Sequence, residues 1–572
     1  EALAADEDVL TRKHRLLRRV YQTSGKRVLE SAEFGSFLEE HAHWLKPYGL
    51  FCVLRDLYGN SDSSQWGDLG RLSHAQIDSL ASAGGSKYQA CCYWYWLQFH
   101  LHLQLLDASE YAGNKGIALM GDLPIGINRH AVDVWVRPDL FDLHKMAGAP
   151  PDVFTQRGQN WKLPVYDWDR MARDGYSWWR ARLKHMGRYF SALRVDHILG
   201  FFRLWELPSH AVTGLAGHYS PSSPILASQL DALGLWDRQR LSTRYIRAHL
   251  LQRRFGKDSN IVAKRFLEEG PNGAFVFRAG LDTEMALADA IEREPLVLEG
   301  MDPQQVLEAV LDMCNDRCLV RDEDAPDERF YPRFRLWETD SFAELGPDWQ
   351  VKLRQLHDDH FSWRHEELCE ATARQRLSVL QGASTMMLVG EDMGPAPSCL
   401  PLVLQDASIP GLRIPRVTKM ATASYPYLSV AASSTHDMLS SAGWWASLSA
   451  AERNQHWTLL GQTGAPPDHD ATHTHTHTHT HTHNVSTAVT STFVRQLMAC
   501  PSMLAMIPLQ DLLDTCDSTA SRNPTQDQIN FPGEQEKSWR WRCALDIEDI
   551  VNNAEFVATL RELIHSSDRA VI

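Results

Sequence analysis

Four short apolar runs, each ending abruptly on polar or acidic residues, constrain this chain more tightly than any other feature. Gly116-Ile-Ala-Leu-Met120 leads into Gly121 and Asp122, and Tyr189 to Val195 leads into Asp196. Thr385 to Val389 leads into Gly390 and Glu391, and Leu428 to Ala432 leads into Thr435, His436 and Asp437. Alternating polar and apolar residues bury one face of a strand. A short unbroken apolar run is buried on both faces, as the strands of a parallel sheet are. The C-terminal strand ends of such folds open onto active sites, so the acids beyond the runs are the first candidates for chemistry. Leu353 to Leu380, with Arg/Glu-rich polar positions and spaced leucines, predicts a helical pair feeding the run that ends at Glu391. The alternation predicts βα units.

Length and composition bound what such a sheet can serve. At 572 residues the chain exceeds one ordinary domain. A single α/β barrel decorated with insertions is still permitted, so the domain count stays open. A formal net charge of -15 argues against a nucleic-acid partner or an anionic membrane surface, both of which reward clustered Lys and Arg. Neutral sugars fit better. No run of about 18 apolar residues is present to span a bilayer, and the aromatic stretch Tyr93 to Phe99 is cut by Gln98 and followed by His100 and His102. The 10 cysteines, with Cys91 and Cys92 adjacent and Cys314 and Cys318 four apart, form neither a disulfide framework nor a zinc pattern. They read as reduced thiols.

The texture changes at Tyr219-Ser-Pro-Ser-Ser-Pro224, where a turn-rich segment opens a charged, helix-favouring stretch. This predicts a helical insertion over 218–330 between two parts of one α/β unit, 1–217 and 331–572. Thr472 to His483 alternates Thr and His and carries six histidines, which would share one face if extended. Metal binding there is physically open, but the more economical reading is a disordered loop around 461–488. The sequon Asn484-Val-Ser486 reads as an unmodified part of that loop.

Retaining cleavage of a glycosidic bond needs an ionised carboxylate nucleophile and a protonated carboxylic acid, about 5–5.5 Å apart. In Leu193-Arg194-Val195-Asp196-His197, period-2 alternation puts Arg194 and Asp196 on one side of a strand. The guanidinium would favour a charged carboxylate, although a structural ion pair explains the same spacing. Glu391, following a buried run and Gly390, would be desolvated and raised toward general-acid duty. Glu299, in Leu296-Val-Leu-Glu299-Gly-Met-Asp302, has the same look, and local pattern does not separate the two. Asp437 is a third strand-end acid, suited to hydrogen bonds from sugar hydroxyls.

Seven motifs in order carry a resemblance. Gly121-Asp-Leu-Pro-Ile125, Ala131-Val-Asp-Val-Trp135, Gly148-Ala-Pro-Pro-Asp152 with Gly158-Gln-Asn-Trp161, Arg194-Val-Asp-His197, Gly390-Glu-Asp-Met-Gly394, Thr435-His-Asp437 and Trp539-Arg-Trp-Arg542 resemble the motif series of the amylomaltase family, glycoside hydrolase family 77. Ile198-Leu-Gly-Phe-Phe-Arg-Leu-Trp-Glu-Leu-Pro208, Tyr331-Pro-Arg-Phe334 and Ile507-Pro-Leu-Gln-Asp511 are similar to its plant-type members, whose barrel also carries a long insertion. The resemblance implies an α/β fold, a (β/α)8 TIM barrel with a helical insertion. It implies that Asp196 is the nucleophile, Glu391 the acid/base and Asp437 the transition-state stabiliser. Arg194 and His436 would contact sugar, and Asp133, Trp135, Asp152, Phe154, Gln159 and Trp161 would bind substrate. Glu299 falls in the insertion and drops out. The implied reaction is 4-alpha-glucan transfer from maltose or maltodextrins to glycogen or a heteroglycan, in the cytosol, with no cofactor and no metal.

Two departures qualify the resemblance. Val153-Phe154 stands where the family has an aromatic pair, so one glucan contact is missing. The family's first barrel strands, and the starch-binding modules of plant-type members, are expected before Glu1. A hydrolase on the same barrel and a non-catalytic glucan-binding scaffold remain open alternatives. Of the 19 tryptophans, Trp135, Trp161, Trp205 and Trp445 are the candidates for stacking on sugar.

Overall fold

The computed structural model describes residues 9–567 and 569, apart from 153–154, 323–324, 326–327, 419, 467–480, 522 and 533–536, with only the backbone of 481–486. The chain divides into two compact units. The first comprises Glu1–Leu193, Arg203–His365 and Ser378–Met386, the second Arg194–Phe202, Glu366–Leu377 and Met387–Ile572.

In the first unit the helices Val9–Leu29, Ala32–Tyr58, His74–Ala81 and Tyr88–Asn114 come first. Ala32–Tyr58 starts where the Ser31 side chain accepts the Phe34 N–H and stops at Gly59, in the left-handed region at φ 71°. Their shared core includes Leu45, Leu50, Leu54, Trp66, Tyr95 and Trp96. The aromatic stretch Tyr93 to Phe99 is thus a buried helix interior. Gly49 lets the helices approach, since a Cβ there would lie 2.4 Å from a Tyr95 ring carbon.

An antiparallel sheet follows, in the order Gln159–Tyr166, Phe141–Ala149, Leu204–Pro208, His218–Ser220. The stretch expected as a helical insertion packs Ala248–Phe255, Ser259–Phe266, Glu284–Arg293 and Pro303–Cys314 around Val262, Phe266, Leu287, Val306 and Val310. It also holds short strands, among them the hairpin Leu267–Glu269 with Phe275–Phe277. Buried Glu284 anchors it: its carboxylate accepts the N–H groups of Val212 and Thr213 (both 2.6 Å), the Thr213 hydroxyl (2.9 Å) and the Asn315 amide. The predicted helical pair before Glu391 is present as Pro347–Ser362 and Glu366–Ala383.

The second unit is built on parallel strands: β1 (Ala192–Val195, of which Arg194 and Val195 belong to this unit), β2 (Met387–Gly390), β3 (Gly411–Arg413), β4 (Ser429–Ala432) and β5 (Leu504–Met506). They lie in the order β1-β2-β3-β4-β5. Parallel register is set by Gly390 opposite Gly411, Leu412 opposite Val430 and Ala431 opposite Ala505. Helices connect them, Leu400–Asp406 between β2 and β3, and Ser441–Ser447, Ala450–Leu459 and His481–Ala499 between β4 and β5. All four residues of β4 are buried, as expected of a strand covered on both faces. Among the described residues the parallel sheet is open, a half-barrel. The described part of the first 114 residues folds as helices and contributes no strand to it.

All ten cysteines are free, nine of them buried. Among the described residues no helix is long and apolar enough to cross a membrane. Most of the Thr-His tract lies outside the described residues; the backbone of 481–483 opens the helix His481–Ala499.

Candidate active site

Because the strands of the second unit are parallel, the residues following β1, β2 and β4 emerge at the same edge of the sheet. Asp196 follows β1 and Glu391 follows β2. The Glu391 N–H donates to the Val195 carbonyl and the Ile198 N–H to the Glu391 carbonyl, both at 3.0 Å, so the two chain segments run in step and Asp196 lies alongside Glu391. Between those bonds the ladder is diverted. His197 adopts φ 42°, in the left-handed region, and its N–H donates to Glu391 Oε2 at 3.0 Å. Strain of this kind costs about 1–3 kcal/mol and persists where surroundings over-determine it.

The Met393 N–H takes the other carboxylate oxygen, Oε1, at 2.9 Å. Glu391 is therefore held at both oxygens by backbone donors and is only 7% exposed. Burial first, then the negative charge of Asp196, push its carboxyl up to about 7, against the pull of the two amides and Arg194. An acid poised there donates and accepts a proton near neutral pH. Asp196 has a different environment: Arg194 Nη1 donates to its Oδ1 at 3.0 Å, which sets a fixed positive charge against it. The two neighbouring carboxyl groups thus have unlike surroundings, one buried between backbone donors and the other against a guanidinium.

Beyond β4, Asp437 Oδ1 accepts from the Asn530 side chain, and Oδ2 lies 3.4 Å from His436 Nε2. The Asn530 N–H donates to the His436 carbonyl at 2.9 Å, and Gln528 Nε2 to the Asp437 carbonyl at 3.2 Å. The Trp539 ring lies 5.1 Å from the His436 ring and is 67% exposed. An exposed indole beside a strand-end acid is a surface on which a sugar ring can pack.

Sequence reasoning missed several of these parts. Asp392 turns away from Glu391 and binds β3, accepting the Leu412 N–H at 2.8 Å and Arg413 Nη1 at 3.0 Å. Gly411 is needed for this, because a Cβ there would lie 2.2 Å from Asp392 Oδ2. Asp392 stood in a quoted motif without a role. Asn530 and Gln528 sit in a loop with no periodicity and gave no signal.

The remaining candidates belong to the first unit, except Trp445, which belongs to the second. Asp133, on the helix Val132–Val136, accepts from Trp178 Nε1 at 2.9 Å. Trp135 is 6% exposed and packs against Phe51 and Trp66 at ring distances of 5.9 and 5.8 Å, so its faces serve the helical core. Trp205 and Trp445 are likewise fully buried core residues. Asp152 caps its own turn, accepting the Thr155 N–H at 2.6 Å and hydroxyl at 3.0 Å. Gln159 and Trp161 sit together and half-buried on the strand Gln159–Tyr166, the indole N–H donating to Gln159 Oε1 at 2.9 Å. Phe154 lies outside the described residues.

Comparison with known proteins bears on family and fold. A family model described as glycoside hydrolase 77, 4-alpha-glucanotransferase, matches residues 4–546. The rice (Oryza sativa subsp. japonica) protein 4-alpha-glucanotransferase DPE2 is 37% identical over 99% of this chain, which spans 59% of that relative's length. A 4-alpha-glucanotransferase of Chlamydia pneumoniae is 34% identical over 217 residues, 38% of this chain and 40% of its own. Among solved structures, the amylomaltase from Streptococcus agalactiae in complex with acarbose matches with a TM-score of 0.57 at 18% identity, covering 96% of this chain and 78% of that one, a likeness of fold. A family match running through nearly the whole chain, Asp196, Glu391 and Asp437 included, makes this protein a member of glycoside hydrolase family 77, the 4-alpha-glucanotransferases.

Proposed function

We propose that the chain is a 4-alpha-glucanotransferase acting by retaining double displacement, and that its open sheet is part of a (β/α)8 barrel. The observation that carries the reading is the pairing of buried Glu391, held near neutrality, with Arg194-bound Asp196. Asp196 attacks the anomeric carbon of a maltose or maltodextrin donor while Glu391 protonates the departing glycosidic oxygen, leaving a glucosyl or glucanosyl ester on Asp196. Glu391, now ionised, then takes the proton from an acceptor 4-hydroxyl as that oxygen displaces Asp196. Glycogen or a heteroglycan is the acceptor, as the family resemblance implies. Asp437, oriented by Asn530, accepts hydrogen bonds from sugar hydroxyls and stabilises the oxocarbenium-like transition state, with His436 and Arg194 as further sugar contacts. Asp133, Asp152, Gln159 and Trp161 serve substrate binding.

The test incubates purified protein with maltose, with and without glycogen, alongside Asp196→Asn, following free glucose and labelled glucosyl transfer. Polymer labelling that needs glycogen and vanishes in the variant supports the transferase. Glucose release indifferent to acceptor means a hydrolase, and glucan binding without turnover means a scaffold.

A further inference from the structure

The motif Ile507-Pro-Leu-Gln-Asp511 has no part in the reaction as described, yet it ends on a carboxylate that is 0% exposed. Asp511 lies on the short helix Leu509–Leu513. Its Oδ1 accepts the Ser441 N–H at 2.7 Å, and its Oδ2 accepts the hydroxyls of Ser441, at 2.9 Å, and Ser433. Ser433 is the residue that follows β4, and Ser441 opens the next helix. One carboxylate thus grips both ends of the 433–441 segment that carries His436 and Asp437. Inside the grip, half-buried Arg416 donates from Nη2 to the Leu439 carbonyl at 2.6 Å.

The neighbouring Gln510 extends the hold. Its side-chain amide donates to the Asp527 carbonyl at 3.2 Å, at the root of the loop whose Gln528 and Asn530 fix the carbonyl and carboxylate of Asp437. A single turn of helix therefore ties down both the segment bearing Asp437 and the loop that orients it. A buried carboxylate is costly unless its hydrogen bonds are made, and here every bond is spent on that one segment.

We infer that Asp511 is a positioning residue of the transfer reaction, clamping the 433–441 segment so that Asp437 is presented in one orientation. The inference rests on the proposed role of Asp437, but the clamp itself does not.

The test combines amide hydrogen exchange with steady-state kinetics on the full chain: wild type, Asp511→Asn, Ser441→Ala, Asp437→Asn and the Asp511→Asn/Asp437→Asn double variant. Asp511→Asn is expected to speed exchange selectively across 433–441 while β2 keeps its protection. The kcat for glucosyl transfer from maltose falls about 100-fold, as a misplaced group can cause, with KM unchanged. Added to Asp437→Asn, the same change costs little more. Ser441→Ala keeps the backbone donor and gives a weaker version of each effect, which decides the matter should Asp511→Asn fail to fold. Unchanged exchange in 433–441 overturns the clamp, whether or not the wild type transfers glucose. Full additivity with Asp437→Asn, or a loss confined to KM, overturns the positioning role. A wild type that binds glucan without turnover overturns the proposed function instead, and exchange still decides the clamp.

Discussion

Glu391 and Glu299 each close a run of aliphatic residues, and tertiary structure gives them opposite surroundings. Glu391 follows a strand flanked by β1 and β3, is buried, and has both oxygens held by backbone amides. The run before Glu299 makes only an isolated bridge, Leu298 to Met301, and its side chain is 66% exposed beside Lys257. The difference teaches that what packs around a carboxyl group, and not the run of residues before it, decides how readily it holds its proton. Desolvation and the neighbouring Asp196 raise Glu391, whereas water surrounds Glu299.

The sharpest way to break this contrast is kinetic. Asp196→Asn should lower glucosyl transfer on the order of 10⁴-fold or more, measured as labelled product from maltose. Glu391→Gln should cost about 10²–10⁴-fold. In the wild type, the rate should fall as pH rises through about 7, because the protonated carboxyl is the donor; a pH–rate profile should show that limb disappear in the variant. Glu299→Gln should leave both rate and profile unchanged.

Stability sharpens the comparison further. Glu284, the buried acid that does no chemistry here, satisfies several donors, so Glu284→Ala should destabilise by about 3 kcal/mol in denaturant unfolding. Glu391 carries a smaller, pH-dependent term. Its folded value is raised above the usual 4.5, so its contribution is complete below that value and is lost as pH rises through about 7. Glu391→Gln should therefore flatten the decline in stability between pH 5 and pH 8, by at most roughly 3 kcal/mol. Lys257→Ala, which removes the exposed partner of Glu299, should change stability by less than about 0.5 kcal/mol.

Much of the second unit was legible because its strands are continuous apolar runs with an abrupt polar end, a signal carried by adjacent residues. Three of the four predicted runs overlap β1, β2 and β4, shifted by a residue or more at their starts, while the run Gly116–Met120 meets the strand Met120–Leu123 only at Met120. The helical pair before Glu391 was legible for the same reason: its periodicity is local. What escaped was set by contacts distant in sequence. The helices of the first 114 residues were not assigned from sequence, and the packing of Trp135 against the Phe51 and Trp66 rings depends on residues far from it in the chain. The partners of Asp437 come from the 528–530 loop, and nothing in their spelling points back to residue 437. Choosing Glu391 over Glu299 needed the family resemblance at the sequence level; burial makes the same choice on physical grounds.

The central claim, that burial beside Asp196 makes Glu391 an acid at neutral pH, is tested most directly by titrating its carboxyl carbon by 13C NMR. Selectively labelled glutamate would be used, with the resonance assigned by its absence in Glu391→Gln. A midpoint near 7 that drops in Asp196→Asn, where the neighbouring negative charge is gone, is the predicted result. A midpoint near 4.5 in both proteins would contradict it.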